Sequence, residues 1–143
     1  MERIYHTIIG HHLRHYPQMA FISGPRQVGK TTITKQYRQE NPNFLYLNWD
    51  NVNDRATILA GIPNQWQDVL LAEKPILVLD EIHKYKSWKN YLKGFYDTES
   101  EYWHIMVTGS AKLNIYRKGG DSLMGRYLLY RIHPLSIGEI LST

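Results

Sequence analysis

Gly24-Pro25-Arg26-Gln27-Val28-Gly29-Lys30-Thr31 has the form G-x-x-x-x-G-K-[ST], and its spelling decides how the rest of the chain is read. Glycines at both ends let the backbone curl until successive N–H groups face one anion. Such a loop works between a strand and a helix, because the helix adds its N-terminal donors and positive dipole end to the same phosphates. The flanks meet that demand. Residues 19–23, Met-Ala-Phe-Ile-Ser, form an apolar run between Pro17 and Gly24 that predicts a buried strand. Residues from about 30 to 39 predict a helix with Ile33 and Tyr37 facing inward. The nucleotide-contacting set is then Gly24, Pro25, Arg26, Gln27, Val28, Gly29, Lys30, Thr31 and Thr32. Lys30 would reach the β- and γ-phosphates as a compact cation, and Thr31 would set its hydroxyl on Mg²⁺. For Arg26, phosphate or subunit contact competes with the simpler reading of a solvated side chain.

Fifty residues beyond Lys30, Ile76-Leu77-Val78-Leu79 leads into Asp80-Glu81. An apolar strand would deliver Asp80 to the carboxyl edge of a parallel sheet, where ligands of open α/β sheets bind. There it would hold Mg²⁺, usually through water. Glu81 follows at once and would polarise an attacking water beside the γ-phosphate. By itself a hydrophobic run ending in Asp-Glu is common; behind a phosphate loop it gains weight. No N-K-x-D guanine signature and no D-x-x-G after the loop is present. An adjacent Asp-Glu pair favours ATP hydrolysis over phosphoryl transfer.

Working outward, residues 2–16 predict a short helix with Ile4, Ile8 and Ile9 on a helical spacing, and residues 44–47 a second strand. Residues 54–72, broken by Gly61-Ile62-Pro63, predict two short helices, and residues 76–79 a third strand. Ser87 is positioned to cap a helix bearing the stripe Trp88, Tyr91, Leu92 and Phe95. Residues 104–108 and 126–132 read as the fourth and fifth strands. Strands alternating with helices give an α/β layer fold with a mostly parallel sheet.

Composition agrees with one domain: 143 residues, 43% hydrophobic, no cysteine and a formal net charge of +4. Without cysteine there is no disulfide, thiolate zinc site or cysteine nucleophile. The positive excess suits polyanions but is common. Neither a signal peptide nor an apolar run long enough for a bilayer is visible, so a cytoplasmic location is expected.

The ordered set GPRQVGKTT, LDEIHKYKSWKNYLKGFYD, IMVTGSAKL, DSLMGR and HPLSIGEI, covering about residues 15–143, resembles a bacterial and archaeal family of AAA+-type P-loop ATPases. The resemblance implies a three-layer sandwich around a five-stranded sheet of order 5-1-4-3-2. It implies ATP and Mg²⁺ as ligands, with Thr31 and Asp80 on the metal. The polar end of the fourth strand, Thr108-Gly109-Ser110, would sense the γ-phosphate through a side-chain hydroxyl; Thr108 and Ser110 are not separated by sequence. Ser110 capping the next helix is the plainer reading of that segment. Arg126 resembles the family's Gly-Arg position near a subunit edge, where an arginine acting in trans stabilises γ-phosphate charge. A surface arginine paired to a carboxylate weighs nearly as much. The catalytic set is therefore Glu81, Lys30, Arg126, Thr108 and Ser110.

Relatives continue past the fifth strand into a helical lid and a C-terminal domain. The expected organisation is accordingly an N-terminal helix over 1–16 and an AAA+ core over 17–143 truncated before the lid, which threatens turnover more than binding. Self-association belongs to a longer form. Two alternatives remain beside ATP hydrolysis: a nucleotide-held interaction module that turns over negligibly, and a fragment of a nucleic-acid motor.

The motor reading draws on Lys84, Lys86, Lys89 and Lys93 interleaved with Tyr85, Trp88 and Tyr91. The same aromatic residues already fit a core-facing stripe, which makes the lysines a solvated outer face. His11, His12 and His15 invite a metal, but no accompanying carboxylate motif supports it, and a solvated or stacking cluster is the better reading.

Overall fold

The computed structural model describes residues 2–24, 30–66, 68, 69, 73–110, 113 and 123–132, with residues 2–5 and 30–33 described by backbone alone. Pro25, Arg26, Gln27, Val28 and Gly29 of the loop, and the side chains of Lys30, Thr31, Thr32 and Ile33, lie outside the described residues.

In chain order the elements are α1 (Glu2–His15), β1 (Met19–Ser23), α2 (Lys30–Glu40), β2 (Phe44–Asn48), α3 (Val52–Ala60), β3 (Ile76–Asp80), a 3-10 turn (Ile82–Lys84), α4 (Trp88–Glu99), β4 (His104–Gly109) and β5 (Tyr127–Arg131). The strands form one sheet in the order β2-β3-β4-β1-β5 with every pair parallel. This is the 5-1-4-3-2 order read from the other edge, and the fold is an α/β P-loop NTPase sandwich.

The three layers follow from the alternation of side chains along each strand. Met19, Phe21, Leu77, Leu79, Ile105 and Val107 point to one face and pack with Ile58 of α3 and with Trp88 and Leu92 of α4. Ala20, Ile22, Ile76, Val78 and Met106 point to the other and pack with Ile9 and Leu13 of α1 and Tyr37 of α2. The three inner strands are buried on both faces, which is why their sequences read as unbroken apolar runs rather than as alternation.

Three local expectations need correction. On α1, Ile8 is 40% exposed, and the inward positions are Ile9, His12 and Leu13. His12 is fully buried because its imidazole has two partners: Nε2 meets the Gln18 carbonyl at 2.7 Å and Nδ1 the Tyr130 hydroxyl at 2.7 Å. A carbonyl only accepts, so Nε2 carries the proton and Nδ1 accepts from the phenol. His11 and His15 instead pack ring against ring at a tilt of 39°, centroids 4.3 Å apart. The second helix expected after Gly61-Ile62-Pro63 falls partly on residues 67 and 70–72, which lie outside the described residues; the described residues of 61–73 carry turns and bends and no helix. Ser87 does precede α4, but its side chain makes no capping hydrogen bond.

Candidate nucleotide site at the carboxyl edge of the sheet

Because all five strands are parallel, their carboxyl ends share one edge. Asp80 closes β3, Gly109 closes β4 and Ser23 closes β1, with Ser23 opposite Gly109 and Asp80 opposite Thr108. Gly24 N–H donates to the Gly109 carbonyl at 3.2 Å, so the phosphate-loop segment leaves β1 still tied to β4. The helix that re-enters the described structure at Lys30 is α2. Its N-terminus therefore follows directly on the loop, as anion binding by backbone amides requires.

Asp80 has the same parity on β3 as Ile76 and Val78, whose side chains face α1 and α2. The carboxylate thus emerges on the side of the sheet where the phosphate-loop helix begins. Two hydroxyls hold it there. Thr108, 2% exposed, donates from Oγ1 to Asp80 Oδ1 at 2.7 Å, and the Tyr46 phenol of β2 donates to Asp80 Oδ2. Burial, together with the bond to Asp80, pushes the Tyr46 hydroxyl well above the ordinary phenol range, which keeps it a donor. Asn48 donates from Nδ2 to the Tyr46 oxygen at 3.4 Å.

Glu81 turns a different way. Its φ of 62° and ψ of 22° put it in the left-handed region, the only non-glycine there among the described residues. Such a conformation costs on the order of 1 kcal/mol or more in an L-residue and is held by its surroundings. Glu81 N–H donates to the Thr108 carbonyl at 2.9 Å, and the next residue, Ile82, is fully buried. The strand ends abruptly, and the two adjacent carboxylates diverge. The Glu81 side chain, 23% exposed, has Oε2 3.5 Å from His83 Nε2 and 3.5 Å from Lys84 Nζ. Lys84 also meets Asp50 at 2.8 Å, a bond that raises the ammonium above the usual lysine range.

The two candidate sensors sit differently. Thr108 is buried with its hydroxyl on Asp80, whereas Ser110 lies beyond the strand, partly exposed, with Oγ 3.3 Å from His83 Nε2. Arg126 lies just before β5, away from this cluster, and forks Asp97 of α4: Nε to Oδ1 at 2.8 Å and the second nitrogen to Oδ2 at 3.1 Å. Of the α4-region lysines, Lys84, Lys86 and Lys93 are exposed, and Lys89 sits 5.6 Å over the Trp88 ring.

Tyr46 and His83 are the site residues that the sequence reading did not single out. For Tyr46 no short motif exists, since it reaches Asp80 only through strand register. His83 carried a faint signal, two residues after Glu81 in Asp-Glu-Ile-His. Among the described residues no group of three histidine or carboxylate side chains is placed to hold a metal, and no helix is long and apolar enough to cross a membrane.

Residues 16–141 match a family model described as an AAA domain. An uncharacterized protein of Methanocaldococcus jannaschii is 31% identical over 134 residues, 87% of this chain and 28% of that protein. One from Haemophilus influenzae is 30% identical over 135 residues, 84% of this chain and 32% of that protein. The chain thus spans about a third or less of these relatives. Among solved structures, a DNA replication initiation factor superposes with a TM-score of 0.63 at 16% identity, covering 98% of this chain and 48% of that one. The Aeropyrum pernix ORC1 protein, solved in complex with DNA, gives 0.60 at 14% identity, covering 98% and 46%.

Proposed function

Because this chain belongs to the AAA domain family, we propose that it binds ATP with Mg²⁺ at the carboxyl edge of its sheet and hydrolyses the β–γ phosphoanhydride. The observation that carries this reading is the division of labour between two consecutive carboxylates. Asp80 is pinned by Thr108 and Tyr46 on the α2 side, while Glu81 is swung out of the strand by its left-handed backbone.

In this scheme Lys30 and the amides of residues 24–32 hold the phosphates. Asp80 and Thr31 would hold Mg²⁺, which when bound neutralises charge across the β- and γ-phosphates. The donor chemistry fits, since Mg²⁺ takes hard oxygen ligands and keeps water in its shell. Each Asp80 oxygen accepts one hydroxyl hydrogen and retains a lone pair for such a water. Glu81 takes the proton of the attacking water as its oxygen bonds to the γ-phosphorus and the bond to the bridging oxygen breaks, releasing ADP and phosphate. Thr108 is occupied in holding Asp80, which leaves Ser110 as the γ-phosphate sensor. Arg126 would act on the nucleotide of a neighbouring copy, an action that requires release from Asp97.

The deciding experiment is phosphate release from Mg-ATP as a function of protein concentration, for the wild type and Glu81→Gln. Release by the wild type that Glu81→Gln abolishes while ATP still binds supports hydrolysis. Specific activity rising with concentration supports completion by a neighbour. No release at any concentration, with ATP bound, reduces the chain to a nucleotide holder.

A further inference from the structure

His83 is nearly enclosed, its side chain 3% exposed, in a place where burying a polar ring needs a reason. Its Nε2 lies 3.5 Å from Glu81 Oε2 and 3.3 Å from Ser110 Oγ. One nitrogen thus stands between the carboxylate that would activate water and the hydroxyl that would meet the γ-phosphate. The ring is fixed from behind by Gly109, where a Cβ would fall 2.6 Å from Nδ1 and 2.8 Å from Cε1. Gly109 ends β4 and Ile82, beside the histidine, is fully buried, so both walls of this slot belong to the rigid sheet and its first turn.

We propose that His83 is a positioning residue that couples Ser110 to Glu81, so that engagement of the γ-phosphate by Ser110 sets the orientation of the Glu81 carboxylate. The inference rests on the hydrolysis reading given above and assigns a residue which that reading does not use. The carboxylate favours the tautomer with hydrogen on Nε2, which sets that hydrogen between Ser110 Oγ, at hydrogen-bond distance, and Glu81 Oε2, at ion-pair distance. When the serine hydroxyl turns toward a phosphate oxygen, the N–H is released from it and directed to the carboxylate. His83 touches neither substrate nor water; it acts through its two neighbours.

The test compares His83→Leu, which fills the slot without a donor, with His83→Gln, whose amide N–H reaches about as far as Nε2. ATP affinity, kcat and KM are measured for both, with Glu81→Gln alongside. We expect His83→Leu to lower kcat by about tenfold or more at unchanged ATP affinity, His83→Gln to recover most of it, and Ser110→Ala to have little further effect in the His83→Leu background. Equal loss in both His83 variants, loss in affinity rather than kcat, or additive effects of His83→Leu and Ser110→Ala would overturn the coupling. If Glu81→Gln is inactive and His83→Leu fully active, only the role of His83 fails; if Glu81→Gln is as active as the wild type, the hydrolysis reading fails. Imidazole ¹⁵N spectra decide the bridge without turnover: the His83 Nε2 resonance is expected to move in Glu81→Gln and in Ser110→Ala, and one indifferent to both overturns it.

Discussion

Thr108 and Asp80 face each other across adjacent parallel strands, and the threonine hydroxyl donates to the carboxylate at 2.7 Å. Strand register makes this contact: residues opposite one another share a face, and here that face packs against α1 and α2. The bond holds the Asp80 carboxylate at the carboxyl edge without any motif joining the two residues in sequence. It also engages the hydroxyl of Thr108, a residue only 2% exposed.

Thr108→Val, which keeps the shape and removes the donor, is expected to destabilise the fold by about 1–3 kcal/mol, because Asp80 loses a buried partner. Urea unfolding reads this directly. Mg-nucleotide affinity should fall in the same variant, and Thr108→Ser should restore most of both.

Glu81→Gln preserves the backbone and the volume of the side chain while removing the carboxylate proposed above as the base. Turnover should drop by about 10²–10⁴-fold, the range general-base catalysis contributes. ATP binding, read by isothermal titration, should stay within a few-fold of the wild type.

Gly109→Ala places a methyl carbon 2.6 Å from His83 Nδ1, closer than any relaxed contact allows. Gly109 is paired to Ser23 of β1 and the preceding Thr108 to Asp80 of β3, so the imidazole must give way. The expected cost is about 1–3 kcal/mol in stability, as for other overpacked sites. Chemical denaturation measures it, and the same variant should shift the His83 ring resonances.

Acid should weaken the fold through two histidines. Desolvation, with the positive charge of Lys74 next, pulls His104 from 6.5 down to about 4, and desolvation also lowers His12. In the unfolded chain both take up a proton near pH 6.5, while the folded chain resists. The unfolded state therefore binds more protons, and stability declines as pH falls from about 6.5 toward 4. Thermal melts at pH 7.5, 6 and 5 should show a progressive fall in Tm, shallower in His104→Phe.

Arg126 and Asp97 form a forked pair within one molecule. Should the arginine serve a neighbour's nucleotide, Arg126→Ala lowers specific activity at high protein concentration and leaves it unchanged at high dilution. Asp97→Asn, which releases the arginine, should not lower it at either. A concentration-independent effect of Arg126→Ala would assign the arginine to its own subunit.

The sequence alone determined the layer fold and the carboxylates at its edge. A phosphate loop must sit between strand and helix, and the inner strands, buried on both faces, are written as apolar runs, so β1, β3 and β4 and the exit of Asp80-Glu81 could be placed to within a residue or two. Those features depend on neighbours along the chain. Ile8 went astray because a helical spacing shared by two adjacent isoleucines leaves the choice of inward face to packing, and His12 belongs to that face only because the Gln18 carbonyl and the Tyr130 hydroxyl satisfy its two ring nitrogens there. Tertiary structure decided the rest: that Thr108 serves Asp80 while Ser110 stands by His83, that Tyr46 reaches Asp80 from the next strand, that Arg126 is held by Asp97, and that Glu81 leaves the strand in a left-handed turn. Each is a contact between residues 27 or more apart in sequence, or a backbone state imposed by such contacts, set by strand register and by which side chain fills a given space. Hydrogen-bond pairing over that separation has no short spelling, because its partners are chosen by the geometry of the sheet.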